Sequence, residues 1–94
     1  AQQARVLTAV QQILKHFPAA RFEIIGHTCD LGTASSNLKL SQHRAKALHD
    51  FLISKGIKGD RLKFRGIGQT EPAVPNTNEA NRRQNRRVVV EILD

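Results

Sequence analysis

Tryptophan, tyrosine and methionine are absent from this chain, and cysteine occurs once. A lone Cys29 excludes an internal disulfide and any zinc site built on several thiolates, while leaving the redox compartment open. With no indole or phenol ring, the core has to be built from Leu, Ile, Val, Ala and four Phe. No apolar run approaches the roughly 18 residues that a membrane-spanning helix needs. No signal peptide opens the sequence; for an exported protein that segment is removed or lies outside these residues. Acid is scarce as well: 8 Asp and Glu stand against 15 Lys and Arg, a formal net charge of +7. Such a balance suits an anionic partner.

What is present is enough for one domain of 94 residues with a single core and little margin. Val6, Leu7, Val10, Ile13, Leu14 and Phe17 recur at helical spacing over residues 3–17, an amphipathic helix stopped by Pro18. Residues 21–25 read as a strand inside a sheet, since Glu23 is its one strongly polar inner position. A polar turn from Gly26 to Gly32 follows, and Thr33 is placed to cap a helix over 34–55. The inward stripe of that helix reads Asn37, Leu40 and Ser41, Arg44 and Ala45, Leu48, Phe51 and Leu52. Gly56 sits where a left-handed helix cap belongs. Residues 62–65 alternate as a half-exposed strand, and 69–78, with Pro72, Pro75, Asn76 and Asn78, form a loop. Asn78 or Thr77 is positioned to cap a short basic helix ending near Asn85, and 86–93 alternates as a last, valine-rich strand. Strands alternating with helices predict an α/β sandwich: a mixed sheet with helices packed on one side.

Arg44 is the residue that points to a site. A guanidinium on an otherwise apolar helix face needs a partner, and it pairs with a carboxylate in a two-pronged geometry that lysine cannot match. That carboxylate belongs either to a ligand or to the protein itself, at Asp30 or the C-terminus. His27 has no second ligand at metal-binding spacing on a shared element, and His43 and His49 are not four apart, so His27 reads as a structural turn residue. Cys29 precedes a helix N-terminus, where a thiolate is favoured. It lacks the aligned base and third group that nucleophilic catalysis requires, and reads as a small packed thiol. Arg82, Arg83, Arg86 and Arg87 form a basic cluster. No aromatic stacking platform interleaves with it and no groove-reading motif is present, which argues against nucleic-acid binding. These arginines read as a solvated face or as flanks of a pocket.

Gly26-His27-Thr28, Gly32, Asn37, Leu40-Ser41-x-x-Arg44-Ala45, Gly56-Ile57, Asp60-Arg61, Gly66-x-Gly68, Pro72 and Asn85-Arg86-Arg87-Val88 follow one another across residues 22–92. In this combination the chain resembles the OmpA-like C-terminal domain family, also found in peptidoglycan-associated lipoproteins and flagellar stator proteins. The resemblance implies a single domain over 1–94 whose first family strand precedes residue 1. It implies a non-catalytic, periplasmic module with no cofactor or metal, joined to the outer or inner membrane through other parts of its polypeptide and not inserting itself. The implied partner is peptidoglycan, gripped at the diaminopimelate of its stem peptide. Arg44 matches the position that pairs with a ligand carboxylate, Asn37 lines the same pocket and Arg86 borders it. Thr28, Cys29, Asp30 and Leu40 complete the implied ligand-binding set, walled by the 26–32 loop and the first turns of the second helix, whose backbone N–H groups favour a carboxylate. One position departs from the family pattern. An aspartate that meets the ligand ammonium usually follows His-Thr; here Cys29 stands there and Asp30 comes next. Either Asp30 takes over as acceptor, or the contact is lost and the domain has changed its ligand or become a structural, protein-binding module. Arg44 still attracts the carboxylate of a zwitterion, which favours retained binding.

Overall fold

The computed structural model describes residues 2–93. Chain order is helix α1 (Gln2–His16), strand β1 (Arg21–Gly26), helix α2 (Ala34–Ser54), a 3₁₀ turn (Gly59–Arg61), strand β2 (Leu62–Gly66), helix α3 (Glu79–Asn85) and strand β3 (Val88–Leu93). The sheet order is β2-β1-β3, with β1 parallel to β2 and antiparallel to β3. β1 is thus the central strand, as its apolar sequence predicts. Its Phe22 and Ile24 face α1 and α2 and join Val10, Ala45, Leu48, Leu52, Ile57 and Leu62 in the main core.

Local chemistry sets the helix ends. The Thr33 hydroxyl accepts from the Ser36 N–H at 3.1 Å, and the Asn78 side chain accepts from the Asn81 N–H at 2.9 Å, so both N-termini are capped from their own sequence. At the end of α2, Gly56 takes φ of 101°. Its N–H donates to the Ile53 carbonyl (3.0 Å) while the Ile57 N–H reaches back to Leu52 (3.1 Å), a Schellman closure.

The orientation of α2 differs from the expected stripe. Its buried residues are Asn37, Ser41, Ala45, Leu48 and Leu52. Leu40 is 41% exposed and Arg44 is exposed. The reason lies in Gly26 and Gly66, which face each other in the β1–β2 register. A Cβ on Gly26 would collide with the Ser41 backbone, and one on Gly66 with the Ser41 and Gln42 backbone. The strands approach the helix so closely at Ser41 that only a small residue fits there, and the bulkier Leu40 and Arg44 are turned to the flanks. Arg44 therefore carries no burial penalty. Phe17 is likewise 68% exposed, because it lies past the end of α1 rather than on its core face. Residues 86 and 87, expected in the last strand, precede it.

Candidate functional site

Two small polar residues of α2 bolt the neighbouring loops in place. Ser41, fully buried, donates to the Leu38 carbonyl (2.8 Å) and accepts from the Gly68 N–H (2.9 Å). The Asn37 amide nitrogen lies 3.2 Å from the Cys29 carbonyl, 2.9 Å from the Leu31 carbonyl and 2.7 Å from Gln69 Oε1. It spans the turn after β1 and the loop after β2. Gln69 has no sequence signal of its own; its role depends on a loop that folds back over residues far away in the chain.

The turn is further pinned by its backbone. His27 N–H donates to the Arg87 carbonyl and Thr28 N–H to the Gly68 carbonyl, both at 2.8 Å. His27 and Thr28 are buried, and His27 Nδ1 and Thr28 Oγ1 have no hydrogen-bond partner among the described residues. Burial, and next the Arg87 cation, lower the His27 pKa below its ordinary 6.5, against the opposing pull of the Glu71 carboxylate. Among the described residues no three His, Cys, Asp or Glu side chains gather as metal ligands.

Arg44 opens onto a cleft of about 530 Å³. Ala47 and Leu48 of α2 line it together with Arg44; α1 supplies Gln2, Gln3, Arg5 and Val6, and the approach to β3 supplies Arg86, Arg87 and Val88. Arg44 and Arg86 thus line one cleft, and Arg5 joins them from α1, a helix whose apolar pattern marks only a core face. Among the described residues no carboxylate lies within 4.0 Å of the Arg44, Arg5 or Arg87 guanidinium. Arg87 instead donates to the Asn85 and Glu71 carbonyls, each at 3.4 Å. Arg86 is tied to Glu79 at 3.1 and 3.4 Å. That pairing lowers the Glu79 pKa and, with a smaller contribution from Cys29, raises that of Arg86.

The other expected residues are placed differently. Cys29 is buried, with its sulfur 3.6 Å from Arg86 Nη1, so it supports the cleft from behind one of its walls. Asp30 pairs with Arg82 (Nε to Oδ1, 3.0 Å) and not with Arg44. The C-terminal carboxylate, the other internal partner considered for Arg44, lies outside the described residues. Of the expected set only Arg44 and Arg86 line the cleft; Asn37, Thr28, Cys29, Asp30 and Leu40 are not among the lining residues. The walls are the middle of α2, the start of α1 and the residues entering β3, in place of the 26–32 loop and the first turns of α2. A second groove, of about 460 Å³, runs between the other flank of α2 and β2, past Lys39, Lys46, Phe64 and Arg65. Lys46 there is paired with Asp50 at 2.8 Å and Arg65 with Glu23 at 3.3 Å.

The order of helices about a three-stranded mixed sheet places the chain in a recognised fold class. The model of the OmpA family matches residues 1–86, and the chain belongs to that family. It is 34% identical over 87 residues to the probable lipoprotein YiaD of Escherichia coli, covering 93% of this chain and 40% of YiaD. It is 36% identical over 85 residues to the peptidoglycan-binding protein ArfA of Mycobacterium tuberculosis, covering 90% of this chain and 26% of ArfA. The chain therefore spans well under half the length of these relatives. Among solved structures it is similar to the peptidoglycan-associated lipoprotein of Burkholderia pseudomallei (TM-score 0.87, 32% identity, 97% of this chain and 76% of that one). It is also similar to the C-terminal domain of Helicobacter pylori MotB (TM-score 0.86, 27% identity, 99% and 70%). The three-stranded mixed sheet and its helices are the fold of those domains. No helix of the described residues is long and apolar enough to cross a membrane.

Proposed function

We propose that this domain binds peptidoglycan without breaking a bond in it, and so anchors a cell-envelope protein to the wall from the periplasm. The observation that carries the reading is the Arg44 guanidinium, exposed, free of any carboxylate within 4.0 Å among the described residues, and set beside Arg86 in a cleft. Two relatives whose names record peptidoglycan binding or association support it. In this reading Arg44 makes the charge-assisted, two-pronged pair with a carboxylate of the stem peptide, at diaminopimelate. Arg86 flanks that carboxylate, and Asn37, Thr28 and Cys29 hold the turn that backs Arg86. Leu40 borders the approach along α2. Asp30 meets the ligand only by leaving Arg82. The pairing of Asp30 with Arg82 favours a second reading, in which the fold is kept for protein contacts and the ligand has been lost or changed.

Sedimentation with purified sacculi tests the first reading. The wild-type domain pellets and Arg44→Ala stays largely in the supernatant. If both remain soluble at low salt, the domain is not a wall anchor. If both pellet equally and modest salt releases them, bulk charge and not the cleft is responsible.

A further inference from the structure

The charged residues lining the cleft are all of one sign: Arg5, Arg44, Arg86 and Arg87, with no Asp or Glu among the lining residues. One of the four, Arg86, is offset by Glu79; the other three have no carboxylate within 4.0 Å among the described residues. The nearest acid in the preceding turn, Asp30, is spent on Arg82 at 3.0 Å. From the same turn the Cys29 thiol, buried behind the wall 3.6 Å from Arg86 and not itself a lining residue, brings no carboxylate to offset the cleft. Uncompensated guanidiniums in a partly enclosed cleft attract carboxylates and repel ammonium groups.

We propose that the cleft selects a dicarboxylate whose amines are acylated or absent and discriminates against the zwitterion. Resting on the wall-binding reading above, this assigns the preferred target as a stem peptide in which both amines of the diamino acid are in amide bonds, as in a crosslink, leaving carboxylates as its only charges there. Arg44 and Arg86 take one carboxylate. Arg5, across the cleft on α1, is placed to attract the other. Cys29 acts as a specificity-determining residue through what it omits: a carboxylate at this position would lie against Arg86, which Glu79 already offsets, and so add a negative charge behind the cleft wall that makes an ammonium group less unfavourable there.

The test is calorimetric titration of the folded domain with three small probes at low ionic strength, beside sedimentation with sacculi. The probes are diaminopimelate, its N,N′-diacetyl derivative and pimelate. The diacetyl derivative and pimelate are expected to bind at least tenfold more tightly than diaminopimelate. Cys29→Asp is expected to narrow that ratio severalfold or reverse it. Arg5→Glu places an acid on an exposed helical position without disturbing the core, and is expected to do the same if the buried substitution impairs folding. Equal or tighter binding of diaminopimelate by the wild type overturns the selectivity and leaves wall binding standing. So does an unchanged ratio in both variants. Sacculi that pellet the domain while no probe binds show that the cleft is not the recognition site. A domain that neither pellets nor binds any probe defeats the wall-binding reading itself.

Discussion

The Arg86 guanidinium bridges two parts of the chain, with Nη1 3.1 Å from the Glu79 carboxylate and 3.6 Å from the Cys29 sulfur. A side chain from the entry to β3 is thereby fixed against the start of α3 and the turn after β1. Its position is set before any ligand arrives, which limits the ordering cost of binding.

Arg86→Lys keeps the charge but loses the fork that engages both Glu79 oxygens. Wall binding is expected to weaken roughly tenfold with the fold unchanged. Quantitative sedimentation with sacculi, with circular dichroism as the control for folding, checks this.

Asn85 is fully buried and uses its whole amide. Oδ1 accepts from the Ala73 N–H (2.8 Å) and the Val74 N–H (3.2 Å), and Nδ2 donates to the Val74 carbonyl (2.8 Å) and Asn76 Oδ1 (2.7 Å). Asn85→Ala strands these backbone groups and is expected to cost about 2–4 kcal/mol in urea unfolding. Asn85→Asp turns the Nδ2 donor into an acceptor facing two acceptors, and should be no better tolerated.

Gly26→Ala and Gly66→Ala each force a methyl into the α2 backbone. Each is expected to destabilise by about 3 kcal/mol or more, because backbone cannot step aside as a flexible side chain can. Gly59→Ala is the matched control: its Cβ would meet nothing nearer than the Ile53 side chain at 3.8 Å, and its thermal midpoint should stay close to wild type.

His27 titrates below its ordinary value because it is buried near Arg87. The unfolded chain then binds the proton more readily than the folded one, so stability is full above the unfolded pKa near 6.5 and declines as pH falls below it toward the folded value. His27→Gln should flatten that window in denaturant unfolding followed against pH. The separate loss from Asp50 and Glu79, whose folded pKa values are lowered by Lys46 and Arg86, sets in only at more acid pH, as those carboxylates protonate, and should persist in the variant.

Much of this was legible in residue order. Thr33, Gly56 and Asn78 marked helix ends because caps are local chemistry, and the apolar run of β1 announced a central strand. The facing of α2 was not legible from hydrophobic periodicity. That pattern favours Leu40 as a core residue, whereas the close approach of Gly26 and Gly66 selects the small Ser41. The two glycines in strands that pair in register, together with the small Ser41 on the helix, were the available signal. Arg44 stands out in the sequence through its chemistry and its match to the OmpA pattern, although it is exposed where the helix stripe predicts a buried position. Arg5 and the partners of Asp30 were invisible because they meet their neighbours only through tertiary packing, across 52 residues for the Asp30–Arg82 pair.

The most direct measurement is a nuclear magnetic resonance titration of the isotope-labelled domain with a soluble crosslinked muropeptide, following the arginine side-chain Nε–H signals. The Arg44 and Arg86 signals, with the backbone amides of Leu48 and Val88, are expected to shift together and saturate, and Arg44→Ala is expected to abolish the remaining shifts. Saturable shifts confined to the groove of Lys39, Lys46 and Arg65, or no saturable shift anywhere while the domain still pellets with sacculi, would contradict recognition through the Arg44 cleft.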